Sequence, residues 1–207
     1  MLHLSLSYNS NLEDIIKKTL IINGHPDKDS FNHALANSYK KGLEKSNAIT
    51  DQINLIDLDF DPILKFGYRK RMELEPDLLN ALEKIKNADH LVWVFPVWWC
   101  GYPAILKGFI DRTFLPGITF QPIKGKPFPK KLLKGKTARL IITSDTPSWY
   151  DYLFMKRPTI NQFKKGVLEF CGISPVKVTF LSVIKDSSDN QRNKWLDKVF
   201  ELGVHMN

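Results

Sequence analysis

The sequence predicts an α/β fold: a doubly wound, five-stranded parallel sheet with helices on both faces and strand order 2-1-3-4-5. Three observations carry this. Five short apolar runs alternate with stretches whose apolar residues recur every three or four positions. The central run, Val92-Trp93-Val94-Phe95, has no charge and no alternation, the composition of a strand buried on both faces. Polar, Gly- or Pro-containing loops separate strands from helices, and right-handed crossovers restrict the topology.

Elements follow in order. Thr19–Asn23 is the first strand, bounded by Gly24. Gly24–Ser30 is a polar turn, and Ser30 is placed to cap a helix carrying Phe31, Leu35, Tyr39 and Leu43 on one face. Ile49–Leu58 is the second strand. Asp59–Glu75 is a long irregular connection, available to rim a site or meet a second subunit. Pro76–Asn87 is helical, with Leu78, Leu82 and Ile85 inward. Asp89–Phe95 is the third strand, and Ala104–Phe114 the helix after it, with Ile105, Leu106, Phe109 and Ile110 facing the sheet. Leu115–Gly135 is a second long connection. Ala138–Thr143 is the fourth strand, and Thr159–Phe170 a helix with Ile160, Phe163, Val167 and Phe170 on one face, closed by Gly172. Val176–Val183 is the fifth strand and Asp189–Gly203 the last helix.

The 207 residues fit one domain, placed at 19–207. Residues 1–18 are an N-terminal extension: Leu2, Leu4, Leu6 and Tyr8 alternate as in an edge strand, and a loose tail is the other reading. No run approaches the roughly 18 apolar residues of a membrane span. Met1–Ser10 lacks the basic and apolar regions of a secretory signal. Cys100 and Cys171 make neither a disulfide framework nor a metal site, so a reducing cytoplasm is the expected compartment. A net charge of +8 suits nucleic acid, an acidic membrane surface or an anionic cofactor. No nucleic-acid motif accompanies it. The lysines of Lys124–Lys136, interrupted by Pro127 and Pro129, read as a solvated loop.

In such a sheet, ligands bind outside the carboxyl ends of the strands where the strand order reverses. Gly24–Ser30 flanks that point, and its amides and helix dipole suit an anion. There is no GxGxxG and no GxxxxGK[ST]. Pro96–Gly101 flanks the other side with Trp98, Trp99 and Cys100, either ring-binding groups or ordinary core residues; for Cys100 a small buried hydrophobe is the expectation. A phosphate end beside a flat-ring end has the shape of a flavin nucleotide.

These residues carry a family resemblance. Asn23-Gly24-His25-Pro26 with Ser30-Phe31-Asn32, then Phe95-Pro96-Val97-Trp98-Trp99-Cys100-Gly101-Tyr102-Pro103 running into Ala104–Arg112, then Leu168-Glu169-Phe170-Cys171-Gly172, resemble the flavodoxin-like NAD(P)H:quinone oxidoreductase family. The resemblance implies a non-covalent flavin, FMN slightly ahead of FAD, with NAD(P)H as hydride donor and a quinone-like acceptor. It implies that His25, Ser30, Phe31 and Asn32 hold the phosphate. It places Pro96, Val97, Trp98, Trp99 and Cys100 against the ring with their N–H groups on its polar edge, and makes Thr143, Ser144, Asp145 and Thr146 a third loop. It implies a homodimer with the site at the interface.

The third loop departs from the family. Thr143-Ser144-Asp145-Thr146-Pro147 stands where a Thr-Thr-Gly-Gly-type turn is usual, and no histidine follows until His205. Asp145 adds a charge that opposes negative charge on a reduced ring. Tyr150 is the candidate proton or hydrogen-bond donor to the acceptor; a packing aromatic beside Trp149 is its other reading. The expected activity is ping-pong NAD(P)H oxidation. Alternatives are a flavin-binding regulatory subunit of a membrane transporter, and a one-electron carrier, against which the positive charge counts.

Overall fold

The computed structural model describes residues 17–46 and 48–206. Its principal sheet has five parallel strands, in the order β2 (Ile49–Asn54), β1 (Lys18–Asn23), β3 (His90–Pro96), β6 (Thr137–Ser144) and β7 (Val176–Ser182). This is the expected topology. Between them run α1 (Phe31–Lys45), α2 (Pro76–Asn87), α3 (Ala104–Thr113), a hairpin of β4 (Phe120–Gln121) and β5 (Lys130–Lys131), α4 (Ser148–Leu153), α5 (Pro158–Asn161) and α6 (Asp189–Val204).

Alternation along β3 assigns its side chains to two layers. Val92 and Val94 join Ile21, Ile141, Leu35 and Val199 beneath α1 and α6. Leu91, Trp93 and Phe95 lie on the other face, packing with Leu78 of α2, Leu106 and Phe109 of α3, and Phe163. Every residue of β3 is buried. Helices α1 and α6 meet at backbone contact: a Cβ on Gly42 would stand 2.1 Å from the Phe200 carbonyl oxygen, and one on Gly203 2.3 Å from that of Tyr39.

Several boundaries move for identifiable reasons. The second strand stops at Asn54, because β1 ends at its partner Asn23. Leu55–Asp57 then forms a 3₁₀ turn that buries Leu55 and exposes Ile56. The helix expected over Thr159–Phe170 begins at Pro158 and turns π-helical over Gln162–Glu169. Its five-residue spacing buries Phe163 with Leu168 rather than with Phe170, which instead meets Phe120 at 5.0 Å between ring centroids. Helix α4 and the β4–β5 hairpin lie inside segments expected to be loops. The irregular connection 59–75 is anchored by Arg112, which is 1% exposed. Its guanidinium pairs with Glu75 at 2.8 Å and donates to the Glu73 carbonyl at 2.9 Å. Of the extension expected over 1–18, Lys18 instead opens β1, and residues 1–16 lie outside the described residues.

His90 opens β3 at 6% exposure, with Nδ1 2.7 Å from the Thr137 hydroxyl. Burial, then the charges of Arg139, Lys17 and Lys177, push its pKa from 6.5 to about 4. The unfolded chain therefore binds a proton near pH 6.5 that the folded chain refuses until about pH 4. The stability from the neutral ring is complete above pH 6.5 and is lost as the pH falls through that window, about 3 kcal/mol in all. Urea unfolding at pH 7 and pH 4.5 should show a stability drop in the wild type that is smaller by roughly 2–3 kcal/mol in His90→Asn. Equal drops would show that His90 does not titrate this way.

Candidate functional site

Three loops leave β1, β3 and β6 side by side. The first is wired by its own side chains. Asn23, fully buried, accepts the His25 N–H on Oδ1 at 3.1 Å; His25 Nδ1 accepts the Asp27 N–H at 3.0 Å; Asp27 Oδ1 accepts the Asp29 N–H at 3.0 Å. Burial is the largest influence on His25 and holds its pKa below the usual value. The ring is thus neutral at pH 7, and because Nδ1 accepts, the proton sits on Nε2. Ser30 caps α1, its Oγ accepting from the His33 N–H at 3.4 Å. The first-turn amides of Phe31 and Asn32 have no acceptor within the helix and point out of its N-terminus.

The second loop is a two-residue hairpin. Trp98 and Gly101 exchange both backbone hydrogen bonds at 2.9 Å, and Trp99 and Cys100 form the tip with φ of 49° and 58°. Such a turn favours Asn-Gly, and side chains here cost roughly 1–2 kcal/mol each. The tip presents Trp99 at 103% and Trp98 at 44% exposure. Cys100 is exposed too, which corrects the expectation of a buried hydrophobe. Neither tryptophan is a core residue. Val97 donates its amide to the Thr143 carbonyl at 2.7 Å and Trp98 donates its own to Gly101, whereas the amides of Trp99 and Cys100 at the tip make no backbone hydrogen bond among the described residues. The Trp98 ring meets the His25 ring edge-on at 5.6 Å, joining the two loops across the crevice.

In the third loop Thr143 and Ser144 are buried, and the Thr143 hydroxyl donates to Asn32 Oδ1 at 2.9 Å. Thr146 donates its amide to Ser144 Oγ at 3.1 Å. Asp145 is exposed, its Oδ1 accepting from the Lys185 N–H at 2.8 Å.

Ten of the residues expected at the site wall one cleft of about 180 Å³: His25, Ser30, Phe31 and Asn32; Pro96, Val97 and Trp98; Thr143, Ser144 and Asp145. Ile184, beyond β7, completes the wall and was not anticipated; its place just past a strand's carboxyl end was the available signal. Asn32 is 4% exposed, and its Nδ2 has no partner among the described residues. A buried amide donor on the wall of a cleft fits a polar ligand atom. Trp99, Cys100, Thr146 and Tyr150 are not on this wall. Tyr150 lies on α4, stacked on Phe154 at 5.1 Å. The enclosed volume is below the about 300–1,000 Å³ of typical ligand sites, so most of a flat ring would lie on the exposed aromatic surface. A larger cavity of about 540 Å³ lies between α3 and the π-helical turn, away from the strand ends. Its only charged groups, Lys107 and Asp111, already pair with each other.

The sequence matches the Flavodoxin_2 family, a flavodoxin-like fold, over residues 17–202. The chain belongs to this family. The curated NAD(P)H dehydrogenase [quinone] 1 of Cavia porcellus is 29% identical over 76% of this chain, and the chain spans 65% of that protein's length. The crystal structure of Smu.1420 from Streptococcus mutans UA159 has 36% identity and a TM-score of 0.81, covering 91% of this chain and 99% of that one. A Bacillus anthracis FMN-dependent NADH-azoreductase, solved in complex with FMN, shares the fold with a TM-score of 0.74 and 22% identity over 92% of this chain and 99% of that one.

Asn32 has two separable tasks. Asn32→Leu leaves the Thr143 hydroxyl buried without its acceptor, a cost of about 1–3 kcal/mol. Adding Thr143→Val should recover most of that stability in thermal unfolding. It should not recover flavin binding, for which both variants should be weaker by about tenfold, one hydrogen bond's worth. Full recovery of flavin affinity in the double variant would show that Asn32 serves only the fold.

Proposed function

We propose that the chain is a flavin-dependent NAD(P)H oxidoreductase that reduces a quinone-like acceptor. The observation that carries this is the convergence of three loops, an unpartnered buried amide and the exposed indole of Trp98 on one cleft at the reversal of strand order. The α1 N-terminus, Ser30 and the Nε2–H of His25 would hold the flavin phosphate. Asn32 Nδ2 would meet a polar atom beyond it. Trp98 would lie against the ring, and the amides of Trp99 and Cys100 would bond its polar edge. The flavin is FMN, which the Bacillus anthracis protein carries, or FAD.

When bound, the flavin supplies the hydride chemistry, accepting from a nicotinamide and donating to an acceptor. The protein orients the reactants and excludes water. Asp145, held by the Lys185 amide at the cleft wall, would place a carboxylate where it opposes negative charge on the ring. Tyr150 would hydrogen-bond the acceptor oxygen through its hydroxyl. One open face would serve donor and acceptor in turn, which gives ping-pong kinetics. The exposed rings of Trp99, Trp149, Tyr152 and Phe154 are a large apolar area to leave in water. A second copy covering that area would complete the site as a homodimer.

Steady-state turnover of flavin-loaded protein with NADPH and a soluble quinone should give parallel double-reciprocal lines. Tyr150→Phe should lower kcat/KM for the quinone by about tenfold, one hydrogen bond's worth, and leave anaerobic bleaching by NADPH unchanged. Intersecting lines, or no NADPH oxidation, would contradict the assignment.

A further inference from the structure

The chain's positive charge is not spread over its surface. Residues 64–72 and 115–136 together contain ten Lys and Arg and no Asp or Glu. The remainder has twenty basic residues against twenty-two acidic ones. The whole net charge of +8 therefore comes from two segments, and the fold brings them together. Tyr68, Lys70 and Arg71 on the first segment face Leu115 and Pro116 on the second across a recess of about 150 Å³. A bridge between Pro116 and Phe120 joins the recess to the β4–β5 pairing, in which Gln121 lies opposite Lys130.

Part of this charge serves the fold. Lys131 donates to the Glu169 carbonyl, Lys136 to the Lys86 and Ala88 carbonyls, and Lys65 pairs with Asp61. Arg69, Lys70, Arg71, Lys124, Lys126, Lys130 and Lys134 form no ion pair among the described residues. Large apolar side chains are interleaved with them. Tyr68 is 75% and Phe128 77% exposed, and Ile123 and Leu132 are exposed as well. Phe128 stands between Pro127 and Pro129, so a stiff backbone presents it outward. Arg69 and Lys70 lie over the Phe66 ring at 5.9 and 5.1 Å.

We propose that this face adsorbs to the surface of an anionic phospholipid bilayer. Lysines and arginines would meet the headgroup charge while Phe128 and Ile123 enter the headgroup–acyl boundary. A two-fold contact between copies through this face would set like charges against each other, which disfavours a second copy as its occupant. The aliphatic Ile123 and Leu132 would gain nothing from a nucleic acid base, whereas a lipid boundary accepts them together with the rings of Tyr68 and Phe128. Binding is peripheral: no described helix is long and apolar enough to cross a membrane.

The test is cosedimentation of the full chain with vesicles of phosphatidylcholine, with and without phosphatidylglycerol. It reads no flavin chemistry, so its outcome is independent of redox activity. The protein should partition onto the anionic vesicles, not the neutral ones, and added salt should release it. Each cation near the surface contributes about fivefold, so the combined Lys124→Gln, Lys126→Gln and Lys130→Gln variant should partition about a hundredfold more weakly. Phe128→Ala should weaken partitioning by about tenfold. All four positions are exposed, and circular dichroism confirms that the variants are folded. Absence of binding to anionic vesicles, equal binding to both kinds, or an unaffected triple variant would overturn the proposal. So would a preference for polyuridine over vesicles, or a triple variant that changes the sedimenting mass of the protein alone.

Discussion

Two hydrogen bonds just past the ends of the strands hold the candidate site in shape. The Gly24 amide donates to the Val94 carbonyl at 2.9 Å, and the Val97 amide donates to the Thr143 carbonyl at 2.7 Å. They carry the sheet's registration into the loops, so the first loop is fixed to β3 and the second to β6. From there α1 covers one face and α3 the other, and the crevice between them cannot close. Gly24 is needed at this junction, since a Cβ there would come within 2.9 Å of the Leu106 side chain. Substitutions that push α3 outward would therefore move the ring loop and the phosphate loop together.

Around this frame several local rules of folding are broken at the site. Trp99 and Cys100 adopt left-handed φ without being glycine, Asn32 buries an unpartnered amide, and several large rings face water. Each departure costs stability, and the surrounding hydrogen bonds and a fully buried β3 offset that cost. Departures of the same kind also occur outside the cleft wall: Lys156, Arg157 and Val183 have positive φ, and Trp93 Nε1 and Thr119 Oγ1 are buried without a partner among the described residues. A ligand with a flat apolar ring and a charged tail would cover exposed rings and give the Asn32 amide a partner.

Much of this was legible in the sequence. The uncharged run of β3, the cap at Ser30 and the four-residue spacing of Leu35, Tyr39 and Leu43 are local signals, and they placed β3 and α1 correctly. Strand ends and loop composition located the crevice; the thirteen expected cofactor residues came from the family resemblance, and ten of them line the cleft. Other features were hidden. The π-helical turn changes which residues are buried, and no local propensity marks it. The exposure of Cys100 depends on a hairpin whose sequence lacks the usual Asn-Gly. Ile184 reaches the cleft only through the position of β7. Gly42 and Gly203 meet across 161 residues of sequence, a contact that spacing on either helix alone does not reveal.

The most direct measurement is titration of the purified, flavin-free protein with FMN and with FAD, following the flavin's visible absorbance and its fluorescence. A flavin site at the reversal of strand order predicts saturation at one flavin per chain, with perturbed absorption bands and quenching by the indoles of the ring loop. Trp98→Ala should remove much of that quenching. An unperturbed flavin spectrum throughout the titration would mean that the cleft is not a flavin site.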